Sequence, residues 1–161
     1  MTWLFVGLMI LIFSFSFVIL FGAPYLPTLT PQVNIAFDLL NLNKGDTLLE
    51  LGSGDGKILL AAAKKGYNVI GYELNPLLYA YSILRTLRYK KQVKIYLGNF
   101  WAVEWPKADG IFIFLITKHM KKLDNKLETY KYMPIKIASF AFPIPDKEYI
   151  KKKGGVYLYK Y

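Results

Sequence analysis

Apolar positions in this chain change their spacing in a regular way. Residues 47–51, 68–72, 93–97, 110–116 and 135–140 are short runs rich in Leu, Ile and Val, and each predicts a strand. The segments between them carry helical spacing. Val33, Ala36, Phe37 and Leu40 make a stripe that predicts a helix over 30–42, and 58–65 forms a second helix ended by Gly66. A third runs from Pro76 to about 89 with Leu77, Tyr81, Leu84 and Arg88 near one face, and a Lys-rich fourth covers 118–130. Thr30-Pro31 and Asn75-Pro76 each pair a capping residue with a proline whose missing N–H costs nothing at a helix start. Alternation of this kind predicts an α/β fold, a parallel sheet with helices on both faces. The end departs from it. Pro143 and Pro145 interrupt the chain, and Gly154-Gly155 leads into a closing strand at 156–160, expected to be antiparallel at or near the sheet edge.

The amino terminus has no such alternation. From Trp3 to Gly22 the sequence carries no charge, and twenty helical residues at about 1.5 Å each span the roughly 30 Å hydrocarbon core of a bilayer. A cleaved signal peptide would carry a basic n-region, which is missing here, and the small pair Gly22-Ala23 is followed by Pro24. The reading is therefore a retained transmembrane anchor over 1–22, a linker and substrate-side segment over 23–30 broken by Pro24 and Pro27, and one domain over 31–161. The chain's 21 Lys and Arg begin at Lys44, with Asp38 the only charge before it, so the positive-inside rule places the domain on the cytoplasmic or equivalent side.

A net charge of +10 admits nucleic acid, an acidic protein or anionic lipid as partner, and the anchor favours lipid. Lys151, Lys152 and Lys153 are the densest basic run, read either as lipid contact or as a solvated face. With no cysteine, disulfides and thiolate metal sites are excluded, and no metal site is expected.

The chemistry concentrates in Glu50-Leu51-Gly52-Ser53-Gly54-Asp55-Gly56, between the first strand and its helix. Ligands of open α/β sheets bind beyond the carboxyl ends of the strands, where this loop falls, and glycine lets the backbone approach a ligand closely. Glu73 ends the second strand, where a carboxylate can accept both hydroxyl hydrogens of a ribose. A dinucleotide fingerprint would need glycine at position 57, which is Lys57, so that reading is disfavoured.

The E-x-G-x-G-x-G loop with its downstream acid resembles the class I methyltransferases, whose sheet is Rossmann-like and whose cofactor is S-adenosylmethionine. The resemblance implies that Gly52, Ser53, Gly54 and Gly56 form the cofactor loop and that Glu73 holds the ribose. It also implies that Glu50 and Asp55 lie near the methionine end. Asn99 stands where many relatives carry an acid that contacts the adenine amino group, and its amide oxygen can accept the same hydrogen bond. Pro24-Tyr25-Leu26-Pro27-Thr28, Glu73-Leu74-Asn75-Pro76 and Phe142-Pro143-Ile144-Pro145 narrow the likeness. They resemble the membrane-anchored lysine methyltransferases of the ATP synthase c-subunit and adenine nucleotide translocase type. This implies N-methylation of a lysine on a membrane or membrane-associated protein. Tyr25, Thr28 and Asn75 are read as lining the substrate side, with Asp55 as an electrostatic partner.

Rival readings remain. RNA or small-molecule methylation is one, although the D/N-P-P-Y/F pattern of base methylation is missing at Leu115-Ile116-Thr117 and nucleic acid is disfavoured as a partner. A non-enzymatic, membrane-tethered basic binding domain is the other. His119, the only histidine, reads as a surface residue beside Lys118, Lys121 and Lys122. Tyr79, Tyr81, Phe100, Trp101 and Trp105 read as core or membrane-interface aromatics.

Overall fold

The computed structural model describes residues 2–9, 12 and 28–161. Residues 2–9 and 12 are helical. Among the described residues, no helix is long and apolar enough to cross a membrane. Much of the proposed anchor, together with residues 23–27 and hence Tyr25, lies outside the described residues.

Seven strands form one mixed sheet in the order β3-β2-β1-β4-β5-β7-β6. They are β1 (Thr47–Leu51), β2 (Asn68–Glu73), β3 (Val93–Leu97), β4 (Gly110–Ile113), β5 (Lys136–Phe140), β6 (Lys151–Lys153) and β7 (Val156–Lys160). The first five are parallel, and β7 pairs antiparallel with β5 and with β6. The helices are α1 (Thr30–Leu40), α2 (Lys57–Lys64), α3 (Pro76–Thr86) and α4 (Thr117–Glu128).

Two apolar clusters sandwich the sheet. One joins Val33, Phe37 and Leu40 of α1 and Leu59 of α2 to Leu48, Val69 and Phe112. The other joins Met120, Leu123 and Leu127 of α4 to Leu49, Ile111 and Ile137. In β1 the inward residues therefore alternate between the two faces, as the period of two requires. The α/β architecture with helices on both faces matches the sequence expectation.

Element ends differ from that expectation in instructive ways. Leu29, not Thr30, is the cap residue of α1, and α1 stops at Leu40 because Asn41 takes a left-handed conformation (φ 49°). The third helix tightens into a 3-10 turn at Leu87–Tyr89 instead of continuing as α-helix. β4 is shorter than its apolar run because Ile116 already serves as the cap residue of α4.

The main addition is β6. Its three residues are all lysine and all exposed, so no apolar alternation marks it as a strand. Gly154 (φ 53°) and Gly155 (φ 77°) close a two-residue hairpin that pairs Lys153 with Val156. β7 is consequently an interior strand, and the lysine run occupies the sheet edge.

Candidate active site

β1 delivers the chain to the carboxyl end of the sheet, where it must turn into α2. The N–H groups of Gly52 and Ser53 both donate to the carbonyl of Tyr72, at 3.1 and 2.8 Å, pinning the loop's first residues to β2. The Gly56 N–H donates to the Ser53 carbonyl at 2.9 Å and completes the turn. Gly52 (φ 91°) faces open space, with no atom within 4 Å of where a Cβ would stand. Gly56 (φ 75°) is pressed against α3, where a Cβ would meet the Ser82 Cβ at 2.7 Å. One glycine thus leaves room for a ligand, and another lets two helices close around the loop.

Glu73 ends β2, and its buried carboxylate organises this crevice. Oε2 accepts the Gly54 N–H at 2.6 Å and Oε1 accepts the Asn75 N–H at 2.8 Å. Burial pushes the Glu73 carboxyl above its ordinary range, while N–H donation from Asn75, Gly54 and Leu74 pulls the other way. Each oxygen retains further acceptor capacity, which suits a pair of ligand hydroxyls.

Glu50 sits one residue before the end of β1, level with Gly71 on one neighbouring strand and Phe112 on the other. It is buried, and its Oε2 has no hydrogen-bond partner; neither does the buried Oγ of Ser53. Burial pushes the Glu50 carboxyl well above its usual range, and the charges of Asp55 and Glu73 add to the effect. Orphaned buried acceptors carry a desolvation cost of about 1–3 kcal/mol each, and a ligand bearing an ammonium group would relieve it. The methionine end of S-adenosylmethionine carries such a group, and its ribose offers the diol that Glu73 suits, so the residues present fit this cofactor.

Asp55 is placed differently from the expectation of a charge waiting for substrate. It forms an ion pair with Arg85 of α3, and its Oδ1 accepts the Lys57 N–H at 3.1 Å. Arg85 also lies over the Tyr81 ring, 5.0 Å from its centroid. The carboxylate is therefore compensated, and it ties the glycine loop to α3. No sequence signal separates Arg85 from other helical arginines.

The substrate-side residues are also accounted for by local bonds. Asn75 is buried, and its Oδ1 accepts the N–H groups of Leu77 and Leu78, so its oxygen caps α3. Thr28 is buried beside the loop's helix, its carbonyl accepting from the Lys57 ammonium at 2.8 Å. One turn further on, Gln32 holds another buried oxygen without a partner, a feature that nothing in the sequence pattern marks. Asn99 is exposed, and its Oδ1 accepts the Trp101 N–H at 2.9 Å, capping the short turn after β3. His119 packs near Trp101, with ring centroids 6.0 Å apart, and its pKa is lowered by burial and by Lys118 and Lys122. No group of His, Asp and Glu suited to a metal occurs among the described residues.

The comparisons with known proteins agree with this geometry. The ANTKMT methyltransferase domain profile matches residues 50–151, which include both the loop and Glu73. The human lysine N-methyltransferase of the ATP synthase c-subunit is 36% identical over 76% of this chain and 53% of its own length. A protein-lysine N-methyltransferase of Saccharolobus islandicus is 31% identical over 84% of this chain and 92% of that protein. The chain spans about half the length of the vertebrate relatives it matches. In fold it is similar to a Salinibacter ruber RNA methyltransferase crystallised with S-adenosyl-L-homocysteine, at TM-score 0.78 and 24% identity over 84% of this chain and 93% of that one. With the profile covering more than half of the residues and taking in the crevice, the chain belongs to the ANTKMT methyltransferase domain family.

Proposed function

We propose that this protein transfers a methyl group from S-adenosylmethionine to the ε-amine of a lysine on a membrane or membrane-associated protein. One observation carries the reading: a buried carboxylate on β2 holds the glycine loop while a second buried acid, Glu50, lacks a partner for one oxygen. The names of the human and archaeal relatives supply the lysine acceptor. The uncharged stretch over residues 3–22 supports placing the domain at a bilayer, on the cytoplasmic or equivalent side.

When bound, the cofactor supplies an electrophilic methyl group on a sulfonium. The protein's part is to align the acceptor nitrogen with it, and positioning of this kind is worth about 7–11 kcal/mol at best. Glu73 takes the ribose hydroxyls on the acceptor capacity left after Gly54 and Asn75 are served. Glu50 and Ser53 take the amino-acid end through their unpartnered atoms. A lysine with an unperturbed pKa of about 10.4 must lose a proton before it attacks, and a dry pocket favours the neutral amine. The segment entering α1 at Thr28, held by Lys57, forms the wall on the substrate side.

The test is incubation of the purified chain with methyl-labelled cofactor and membranes from its own source, followed by mass spectrometry. Label on a lysine of a membrane protein is the expected result. Label on RNA alone, or none with the cofactor bound, sinks the proposal.

A further inference from the structure

Helix α3 is built inside out. Its buried side chains are Ser82 and Thr86, whose hydroxyls donate to the carbonyls of Tyr79 and Ser82 within the same helix. Its outward row is Leu77, Tyr81 and Leu84, continued by Leu87 in the following turn, and these are 43%, 51%, 69% and 57% exposed. A helix that faces water shows the reverse pattern, because each exposed leucine forfeits about 1.5–3 kcal/mol of burial.

Charge singles out the same segment. Between Glu73 and Glu104 there is no acidic residue, whereas Arg85, Arg88, Lys90, Lys91 and Lys94 all fall there. Arg85 is taken up by Asp55, and Arg88, Lys90 and Lys91 are exposed just beyond the apolar row. Leucines and a tyrosine flanked by cations match the face of a helix that lies in the headgroup layer of an anionic bilayer.

We propose that the outer face of α3 rests on an anionic lipid surface, so that the cofactor crevice opens beside the bilayer. The inference deepens the membrane placement proposed above and rests on it. Three observations carry it besides composition. Helices α1 and α2 share one face of the sheet, and α1, α2 and α3 touch in sequence. The chain enters α1 at Thr28, next to the first residue of α2. With packed helices about 8–10 Å apart, α3 lies about 20 Å from that entry, and the chain from residue 22 to residue 28 reaches about 20 Å when extended. A single bilayer can therefore hold both the anchor and α3. Since Asn75 caps α3 and its N–H donates to Glu73, the crevice is carried to the same surface.

The absence of cysteine permits single-site probes in the full chain. Leu84→Cys and Leu87→Cys report on the proposed face, and Asn125→Cys on exposed α4 across the sheet serves as reference. Each variant is labelled with an environment-sensitive fluorophore and reconstituted into vesicles containing about 30% phosphatidylserine, with nitroxide-bearing lipid as quencher. The expected result is at least twofold stronger quenching at positions 84 and 87 than at 125, with the contrast reduced in neutral vesicles. Equal quenching at all three positions overturns the proposal, as does an undiminished contrast in neutral lipid. A blue-shifted but unquenched probe at 84 assigns the face to a second copy or another protein, which also overturns it. Flotation of the same samples separates the two readings: a chain absent from the vesicle fraction overturns the membrane placement itself.

Discussion

Glu73 and Gly54, nineteen residues apart, are joined by a 2.6 Å hydrogen bond from the loop N–H to the carboxylate. The acid that would grip a ribose therefore also sets the shape of the loop beside it. Glu73→Ala should weaken S-adenosylhomocysteine binding by about 100-fold, close to 2.8 kcal/mol, as read by calorimetry, with the circular dichroism spectrum retained. Glu73→Gln should fare little better. Its amide presents only one acceptor oxygen, whereas the Gly54 and Asn75 N–H groups need two. Unchanged affinity in both variants would remove Glu73 from the site.

Glu50 carries a pH signature. Its folded-state pKa is raised, chiefly by burial, above an unfolded value of about 4.3. The folded protein thus holds a proton that the unfolded chain releases. Its contribution to stability is fully present below about pH 4.3 and is lost as pH rises through the folded value. Glu50→Gln should flatten this dependence and melt higher than the parent near pH 8, while binding cofactor more weakly. Parallel melting curves for parent and variant across pH would contradict the assignment.

Gly56 tests the close approach of loop and α3. Gly56→Ala places a Cβ 2.7 Å from the Ser82 Cβ in a left-handed backbone, and about 2–4 kcal/mol of destabilisation is expected in urea melts. Adding Ser82→Gly removes the Cβ contact but leaves the Ser82 Cα at 3.0 Å and the positive φ. Rescue should therefore be partial, and complete rescue would show that conformation contributes nothing.

Asn75 separates capping from substrate contact. Asn75→Ala should lower stability by about 1 kcal/mol through loss of the α3 cap, and Asn75→Ser should restore it. If the side chain only caps, the serine variant keeps kcat and KM for the acceptor. A stable serine variant with a raised acceptor KM would place Asn75 on the substrate side, as expected from the sequence.

The parallel strands and the loop are legible in the sequence because both follow from local chemistry. Five apolar runs alternate with helical stripes, and the loop's glycines sit at a strand end with an acid on the next strand. What escapes depends on tertiary contacts. β6 is a strand only because β7 offers it a ladder, and Lys151-Lys152-Lys153 has no alternation to reveal it. Arg85 and Gln32 acquire meaning from Asp55 and from an occluded corner, respectively, and neither is a neighbour in sequence. The row Leu77, Tyr81, Leu84 is visible in the sequence but looks like the other helical stripes, since periodicity locates an apolar face without saying whether protein covers it.

Three successive exposed lysines in β6 also bear on how copies of this molecule meet. Among the described residues β6 ends the sheet, and a second copy aligned on that edge would set its own three lysines opposite these, with backbones one strand spacing of about 4.8 Å apart. Charge repulsion should therefore disfavour fibre-like growth from that border in dilute buffer. Such growth should open only as added electrolyte shortens the range of repulsion, from about 10 Å at 0.1 M to about 3 Å at 1 M.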